Sequence, residues 1–398
     1  MIPWLIDILG DPLRATWLFK VLQVLDPQRP DGIVFRAVAS VILAFLLVVA
    51  FGRRTIRWLV RQKIGDSPEF HNKALNHLTR HKSKTPTMGG ALIVGAIFVS
   101  VTLLADIREF YIHMALLCLV WLAAVGAADD WLKLTSARRN PGSRDGLFMW
   151  EKLVFQVGIA LLLGLFIHFH GSDSFDTARN AHLLNLPFQR TYKPGTSPPA
   201  LEDNLIFLGP WAFGVLAVFV IAGSSNAANL TDGMDGLASG VLAVVAFAFM
   251  VLCFIVGSAE SAELLLIPHV SKSAELAVVA GSIVGACLGF LWFNCHPAQV
   301  FMGDTGSLPL GGLVGYIAVV TRQEVLLVII GGILVIEAGS VVLQVGYFKL
   351  TGGGRLFKCT PIHHHFHMSG WSEQQVVVRF WLITALLAAI ALATLKLR

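Results

Sequence analysis

An all-α integral membrane protein of about ten transmembrane helices is the fold class this sequence predicts, and three observations predict it. Of its 398 residues 55% are apolar and only 14% charged, and mean hydropathy is +0.70, a balance outside that of a soluble enzyme of this length. The apolar residues fall in runs long enough for helices to cross a ~30 Å hydrocarbon core, which takes roughly 20 residues each. The polar residues gather in short motifs between those runs.

The first run, 33–52, follows a segment, 1–32, whose Pro3, Asp7, Asp11, Pro12 and Asp26 interrupt the basic-then-apolar pattern of a cleavable signal peptide. Runs at 88–105, 111–128 and 153–170 come next. The connection 171–204 is rich in Asn, Pro, Thr and Ser and reads as loop. Runs at 205–224, 237–257 and 275–293 lead to a short one, 307–321, preceded by Gly306 and containing Gly311, Gly312 and Gly315. Glycines of this kind are expected where membrane helices pack closely. Runs at 325–348 and 376–395 complete a single polytopic domain, 1–398.

Orientation follows from the basic residues. Nine lie between the first two runs (Arg53, Arg54, Arg57, Arg61, Lys63, Lys73, Arg80, Lys82 and Lys84), whereas the next connection, 106–110, holds only Arg108. The positive-inside rule makes the first connection cytoplasmic and both termini periplasmic. The polar segments at 71–90, 129–152, 226–236, 294–306 and 351–375 then share the cytoplasmic face, as one active site there requires. The net charge of +5 is explained by this topology and by anionic headgroups rather than by nucleic acid. Cys118, Cys253 and Cys287 fall within runs, Cys295 and Cys359 in connections, and none forms a CxxC pair. They read as reduced packing residues.

Carboxylates at a membrane border are costly unless they have a partner or a function. Asp129-Asp130 ends the third run. Adjacent carboxylates in low dielectric repel, which suits a base or a metal site, though a solvated helix end accounts for that pair by itself. Between the fifth and sixth runs, Asn226, Asn229, Asp232 and Asp235 share a tight connection with Gly233 and Gly236, which let backbone approach a ligand. The Asp-x-Gly spacing lacks the bidentate Glu of a calcium loop. Asn294, His296, Phe301 and Asp304 precede the eighth run; Asp304 sits among glycines at a helix start, where phosphate or a magnesium ion is favoured. Thr360-Pro-Ile-His363-His364-His365-Phe-His367 fills the last cytoplasmic connection. Consecutive histidines alternate direction, which favours hydrogen bonds to phosphate or sugar over a zinc site. Finally, Lys82 or Lys84 with Thr87, Pro86 and Gly89-Gly90 marks a basic turn into the second run.

Together TPTMGG, AADD, NAANLTDGMDGLA, FMGDTGSLPLGG and TPIHHHF, spread from about residue 35 to the C-terminus, resemble the phospho-N-acetylmuramoyl-pentapeptide transferases of peptidoglycan synthesis. The wider family of polyprenyl-phosphate sugar-1-phosphate transferases shares the aspartates but usually lacks that histidine triplet. The resemblance implies a ten-helix, magnesium-dependent, homodimeric enzyme of the bacterial inner membrane. It would move phospho-MurNAc-pentapeptide from UDP to undecaprenyl phosphate, releasing UMP. It further implies Asp304 as magnesium ligand, Asp129 and Asp130 near the lipid phosphate, and His363, His364 and His365 near the diphosphate. Asn229, Asp232 and Asp235 match a substrate-binding loop, with Asp235 near uridine; Lys82, Thr87, Lys152, Asn294 and Phe301 match further substrate-binding positions, Phe301 as a stack on uracil.

Direct attack by the lipid phosphate, with Asp129 as base, is the expected mechanism; a covalent phospho-aspartate is the alternative. Two departures from the family pattern stand out: Lys84 replaces the usual Gly before TPTMGG, so that Lys82 matches the family lysine without a gap whereas a two-residue deletion would select Lys84, and His367 stands where an acid is usual. A sister transferase acting on another UDP-HexNAc is the rival reading. A secondary transporter is disfavoured because neither an internal repeat nor acids central to a run, other than Glu337, are present. Glu337, inside the ninth run, is expected to have a helix–helix partner.

Overall fold

The computed structural model describes residues 30–62, 85–139, 146–173, 182–196 and 199–397. Helix α1 spans Pro30–Arg61, α2 Gly90–Leu104, α3 Phe110–Arg139 and α4 Met149–Asp173. A short ribbon follows, in which β1 (Leu183–Leu184) pairs antiparallel with β2 (Ile206–Phe207), Leu183 opposite Phe207. Then come α5 (Pro210–Thr231), α6 (Leu237–Gly257), α7 (Ala259–Leu264) and α8 (Leu276–Asn294). The last five are α9 (Asp304–Val320), α10 (Glu324–Ile330), α11 (Gly332–Leu350), α12 (Ile362–His367) and α13 (Glu373–Thr394).

Among the described residues eight helices are long and apolar enough to cross a membrane, namely α1, α3, α4, α5, α6, α11, α13 and the unit Ser273–Asn294 that contains α8. The shorter apolar helices α2 and α9 occupy the second and eighth runs. The shortness of α9 has a physical explanation: every residue from Asp304 to Val320 is buried, chiefly between α3 and α5. Its glycines permit this. A Cβ on Gly311 would stand 2.3 Å from the Ser224 carbonyl, and one on Gly315 2.8 Å from that of Val220. The α1–α8 contact is built the same way, since a Cβ on Gly285 would meet the Val41 carbonyl at 2.0 Å.

Three expectations need correction. The ninth run is not one helix: it breaks at Gly331, whose N–H bonds the Leu327 carbonyl at 2.7 Å, into α10 and α11. The fifth begins at Pro210 rather than at 205, because Ile206 and Phe207 pair in the ribbon and Pro210 suits a helix start. The connection 171–204 is not loop alone, since α4 continues to Asp173, β1 lies within it, Tyr192 bridges Leu201, and Thr191 N–H donates to Leu266 O at 2.9 Å.

At the end of the bundle away from Asp304, Arg36 of α1 grips Glu275 with both terminal nitrogens, Nη1 to Oε2 at 2.8 Å, and also donates to Leu104 O at 3.1 Å. Glu275 accepts the Asp106 N–H at 3.1 Å as well. These groups are buried, so their desolvation is offset only because the pair is hydrogen-bonded on several sides. Asp106 itself is buried, which opposes ionisation, yet the Arg108 hydrogen bonds and charge hold its carboxyl below the usual range.

Candidate active site

The start of α9 is where the motifs converge. Residues 86–90 run beside Phe301 and Met302: Phe301 N–H donates to Pro86 O at 2.8 Å, Gly89 N–H to Phe301 O at 2.9 Å, and Gly90 N–H to Met302 O at 2.8 Å. Gly303 enters α9 at φ +71°, and a Cβ there would lie 2.7 Å from Asp130 Oδ2 and 3.0 Å from Thr87 Oγ1. Asp130, from α3, caps α9. Its Oδ1 accepts Asp304 N–H at 3.2 Å, and its Oδ2 accepts Thr305 N–H at 2.9 Å and Thr305 Oγ1–H at 2.6 Å. A carboxylate at a helix start satisfies otherwise unpaired donors and complements the helix dipole.

Asp129, the neighbour of this cap, is arranged differently. Its Oδ1 accepts Leu147 N–H at 2.8 Å, and its Oδ2 lies 2.6 Å from both Lys133 Nζ and Lys152 Nζ. Lys152 also reaches Asp304 Oδ2 at 2.6 Å, and Lys133 stands 3.5 Å from Asp304 Oδ1. Two buried carboxylates from α3 and α9 are thus bridged by two ammonium groups, one from α3 and one from the first turn of α4. Asp129, Asp130 and Asp304 offer oxygens within 4.8 Å of one another. Such hard oxygen donors suit a divalent cation like Mg2+, and Asp129 and Asp304 fit it best, because each has an oxygen facing lysine ammonium groups that a cation could replace, whereas both Asp130 oxygens accept backbone N–H groups.

The loop after α5 borders this centre. Asn229 Oδ1 accepts Ser307 Oγ–H at 3.1 Å. Burial, with the nearby charges of Asp304 and Asp130, pushes the Asp232 carboxyl well above its ordinary range, opposed by a hydrogen bond from Gly303 N–H. Asp235 faces the other way: its Oδ2 lies 3.1 Å from His296 Nδ1 and accepts Ala298 N–H at 3.1 Å, while its own N–H donates to Glu373 at 2.8 Å. Asp235, His296 and Glu373 form the second group of metal-capable atoms within 4.8 Å. Asn294 ties the same loop to α8. Its Oδ1 accepts Gly236 N–H at 3.0 Å and Ser239 Oγ–H at 2.9 Å, and its Nδ2 donates to Val300 O at 2.9 Å.

The histidine run is helical rather than alternating, because Pro361 starts α12 and the side chains fan around it. His363 and His364 are buried with ring centroids 4.1 Å apart. His365 turns away, its Nδ1 accepting Lys358 N–H at 3.1 Å. Glu337 has the expected helix–helix partner, His363, at 3.0 Å.

Of the residues singled out in the sequence, Asp129, Asp130, Asp304, Lys152 and Thr87 meet at the start of α9, with Asn229 and Asp232 alongside. Asp235 and Asn294 gather at the next layer, and Phe301, half-buried, contributes backbone pairing. Lys82 lies outside the described residues. Lys133, Thr305 and Glu373 were not read as site residues, and His296 was read only as part of its motif. The signal for Lys133 was its i+4 spacing from Asp129 on one helix; that for Glu373 was the Ser372–Gln375 capping box that opens α13.

The chain is similar to known proteins over most of its length. The family model described as Glycosyl transferase family 4 matches residues 112–322. A phospho-N-acetylmuramoyl-pentapeptide-transferase of Desulfotalea psychrophila is 43% identical over 372 residues, covering 92% of this chain and 94% of the relative. Proteins of the same name from Thermodesulfovibrio yellowstonii and Desulforapulum autotrophicum are 40% and 41% identical, each over 371 residues with the same coverage. The chain belongs to the phospho-N-acetylmuramoyl-pentapeptide-transferase family of transferases.

Proposed function

We propose that this chain transfers phospho-MurNAc-pentapeptide from UDP-MurNAc-pentapeptide to undecaprenyl phosphate, releasing UMP and forming lipid I, at the cytoplasmic border of the bacterial inner membrane. The observation that carries the reading is the pairing of Asp129 and Asp304 across Lys152, 2.6 Å from each, at one end of apolar helices. It brings acid, base and cationic groups to where a lipid phosphate and a water-soluble diphosphate can meet. The ten apolar helices form one polytopic unit with both termini periplasmic, and the enzyme works as a homodimer.

An acceptor phosphate oxygen attacks the sugar-linked phosphorus as that phosphorus parts from the bridging oxygen, and UMP leaves. Asp129 takes the last acceptor proton and aligns the nucleophile. Lys133 and Lys152, already held between Asp129 and Asp304, neutralise oxygens of the transferred group. Asp304 with Asp129 would hold Mg2+, which when bound shields diphosphate charge. Asp130 keeps Asp304 in place through the start of α9. Asn229, Asp232, Asp235, Asn294, Phe301, Thr87 and Lys82 shape the donor site, and His363 and His364 border the diphosphate, while His365, turned away to accept Lys358 N–H, does not share that expected role.

Purified full-length protein, given undecaprenyl phosphate, Mg2+ and either UDP-MurNAc-pentapeptide or UDP-GlcNAc, tests this. Lipid product and UMP are expected from the muramyl donor alone; product from UDP-GlcNAc alone would overturn the substrate assignment. Labelled phospho-sugar trapped on the protein without acceptor would overturn direct attack.

A further inference from the structure

The buried Glu337–His363 pair joins α11 to α12 at the edge of the active site. Glu337 Oε2 lies 3.0 Å from His363 Nδ1, and both side chains are fully buried. The other ring nitrogen, Nε2, is buried and has no hydrogen-bond partner among the described residues. It is turned to Gly233, where a Cβ would stand only 2.3 Å away. Gly233 follows Asp232, the residue bonded by Gly303 N–H, so the imidazole reaches the loop that borders Asp304. A buried nitrogen without a partner is costly unless the site supplies one in use.

We infer that Glu337 is a positioning residue for transfer: it accepts the Nδ1 proton of His363 and thereby commits Nε2 to the loop carrying Asp232 and Asp235. This rests on the reading of His363 as a group acting at the diphosphate. The physical reason is the hydrogen-bond inventory. A carboxylate oxygen facing Nδ1 accepts its hydrogen, so it selects the Nδ1–H tautomer and leaves Nε2 to accept from bound substrate. A glutamine of the same shape both accepts and donates, so it fills the space without choosing the tautomer.

Glu337→Gln in the full-length enzyme therefore separates positioning from packing. Expected are an unchanged Tm, an unchanged KM for UDP-MurNAc-pentapeptide, and a kcat lowered roughly 10²-fold, the lower end of what a positioned acid–base group contributes. In a His363→Gln background the same change should cost no further activity, because the effect acts through that ring. Histidine 15N spectra, with the His363 signals assigned by their loss in His363→Gln, should show the Nδ1–H form in the wild type and its loss as the sole form in Glu337→Gln. Wild-type kcat in Glu337→Gln, losses that multiply in the double variant, or an unchanged tautomer would each overturn the proposal. The spectra do so even if the donor proves to be another nucleotide sugar.

Discussion

Gly126 is the position where one methyl group should separate the two halves of the active site. An added Cβ would lie 2.2 Å from the Asp304 carbonyl oxygen, 2.5 Å from its carbon and 2.7 Å from Thr305 N. The obstacles are backbone, which has no rotamer to change, so α9 must back away from α3 by about 1 Å to reach ordinary contact. Alanine inside a helix gains up to about 1 kcal/mol over glycine, whereas overpacking costs about 1–3 kcal/mol, so the clash wins. Backing away also separates Asp304 from Asp129, and a displacement of about 1 Å can lower a rate about 10²-fold, or about 2.7 kcal/mol of barrier. Gly126→Ala is thus expected to lower Tm slightly and kcat severely, read by UMP release from UDP-MurNAc-pentapeptide with undecaprenyl phosphate. A variant with kcat within about twofold of wild type would refute the argument that this contact sets the spacing of the carboxylates.

Asp130→Asn keeps one accepting oxygen but turns an amide group toward donors, and is expected to cost about 1.5–3 kcal/mol in chemical unfolding, with Thr305→Val, which removes only the 2.6 Å hydroxyl bond, costing less. For Asp232, whose carboxyl is raised by burial and by Asp304 and Asp130, the neutral form is the one the fold favours, so stability falls as pH rises from its unfolded value toward the raised one. Asp232→Asn lacks that cost, and its Tm advantage over the wild type should widen as pH rises; a pH-independent difference would refute the assignment. Glu275→Gln leaves the buried Arg36 uncompensated and should cost about 3–5 kcal/mol, with the donor KM of the surviving fold unchanged because the pair lies at the opposite end of the bundle.

Helix positions were legible because hydropathy reports contact with apolar surroundings, and the shortest run, α9, was legible as close-packed from Gly311, Gly312 and Gly315. The break at Gly331 was not, since Leu326–Ile330 and Ile333–Ile336 are continuously apolar on both sides of it and hydropathy carries no information about helix continuity. Asp129, Asp130 and Asp304 could be singled out as a group, but not their different bonding, because capping of α9 by Asp130 depends on a contact between residues 174 positions apart. Lys133 was hidden by its surroundings: basic residues at that border are expected for topology alone. His296 was visible within its motif, while its partners Asp235 and Glu373 come from two other connections. Glu337 was correctly expected to have a partner, and only the packing of α12 identifies it as His363.

Binding of Mn2+ in place of Mg2+, followed by electron paramagnetic resonance in the presence of UDP-MurNAc-pentapeptide, tests most directly that Asp129 and Asp304 form a metal-assisted phosphoryl-transfer centre. Stoichiometric binding in the wild type, lost together with turnover in Asp304→Asn and weakened in Asp129→Asn, is the predicted result. Undiminished Mn2+ binding in a well-folded Asp304→Asn variant would contradict it and place the metal elsewhere.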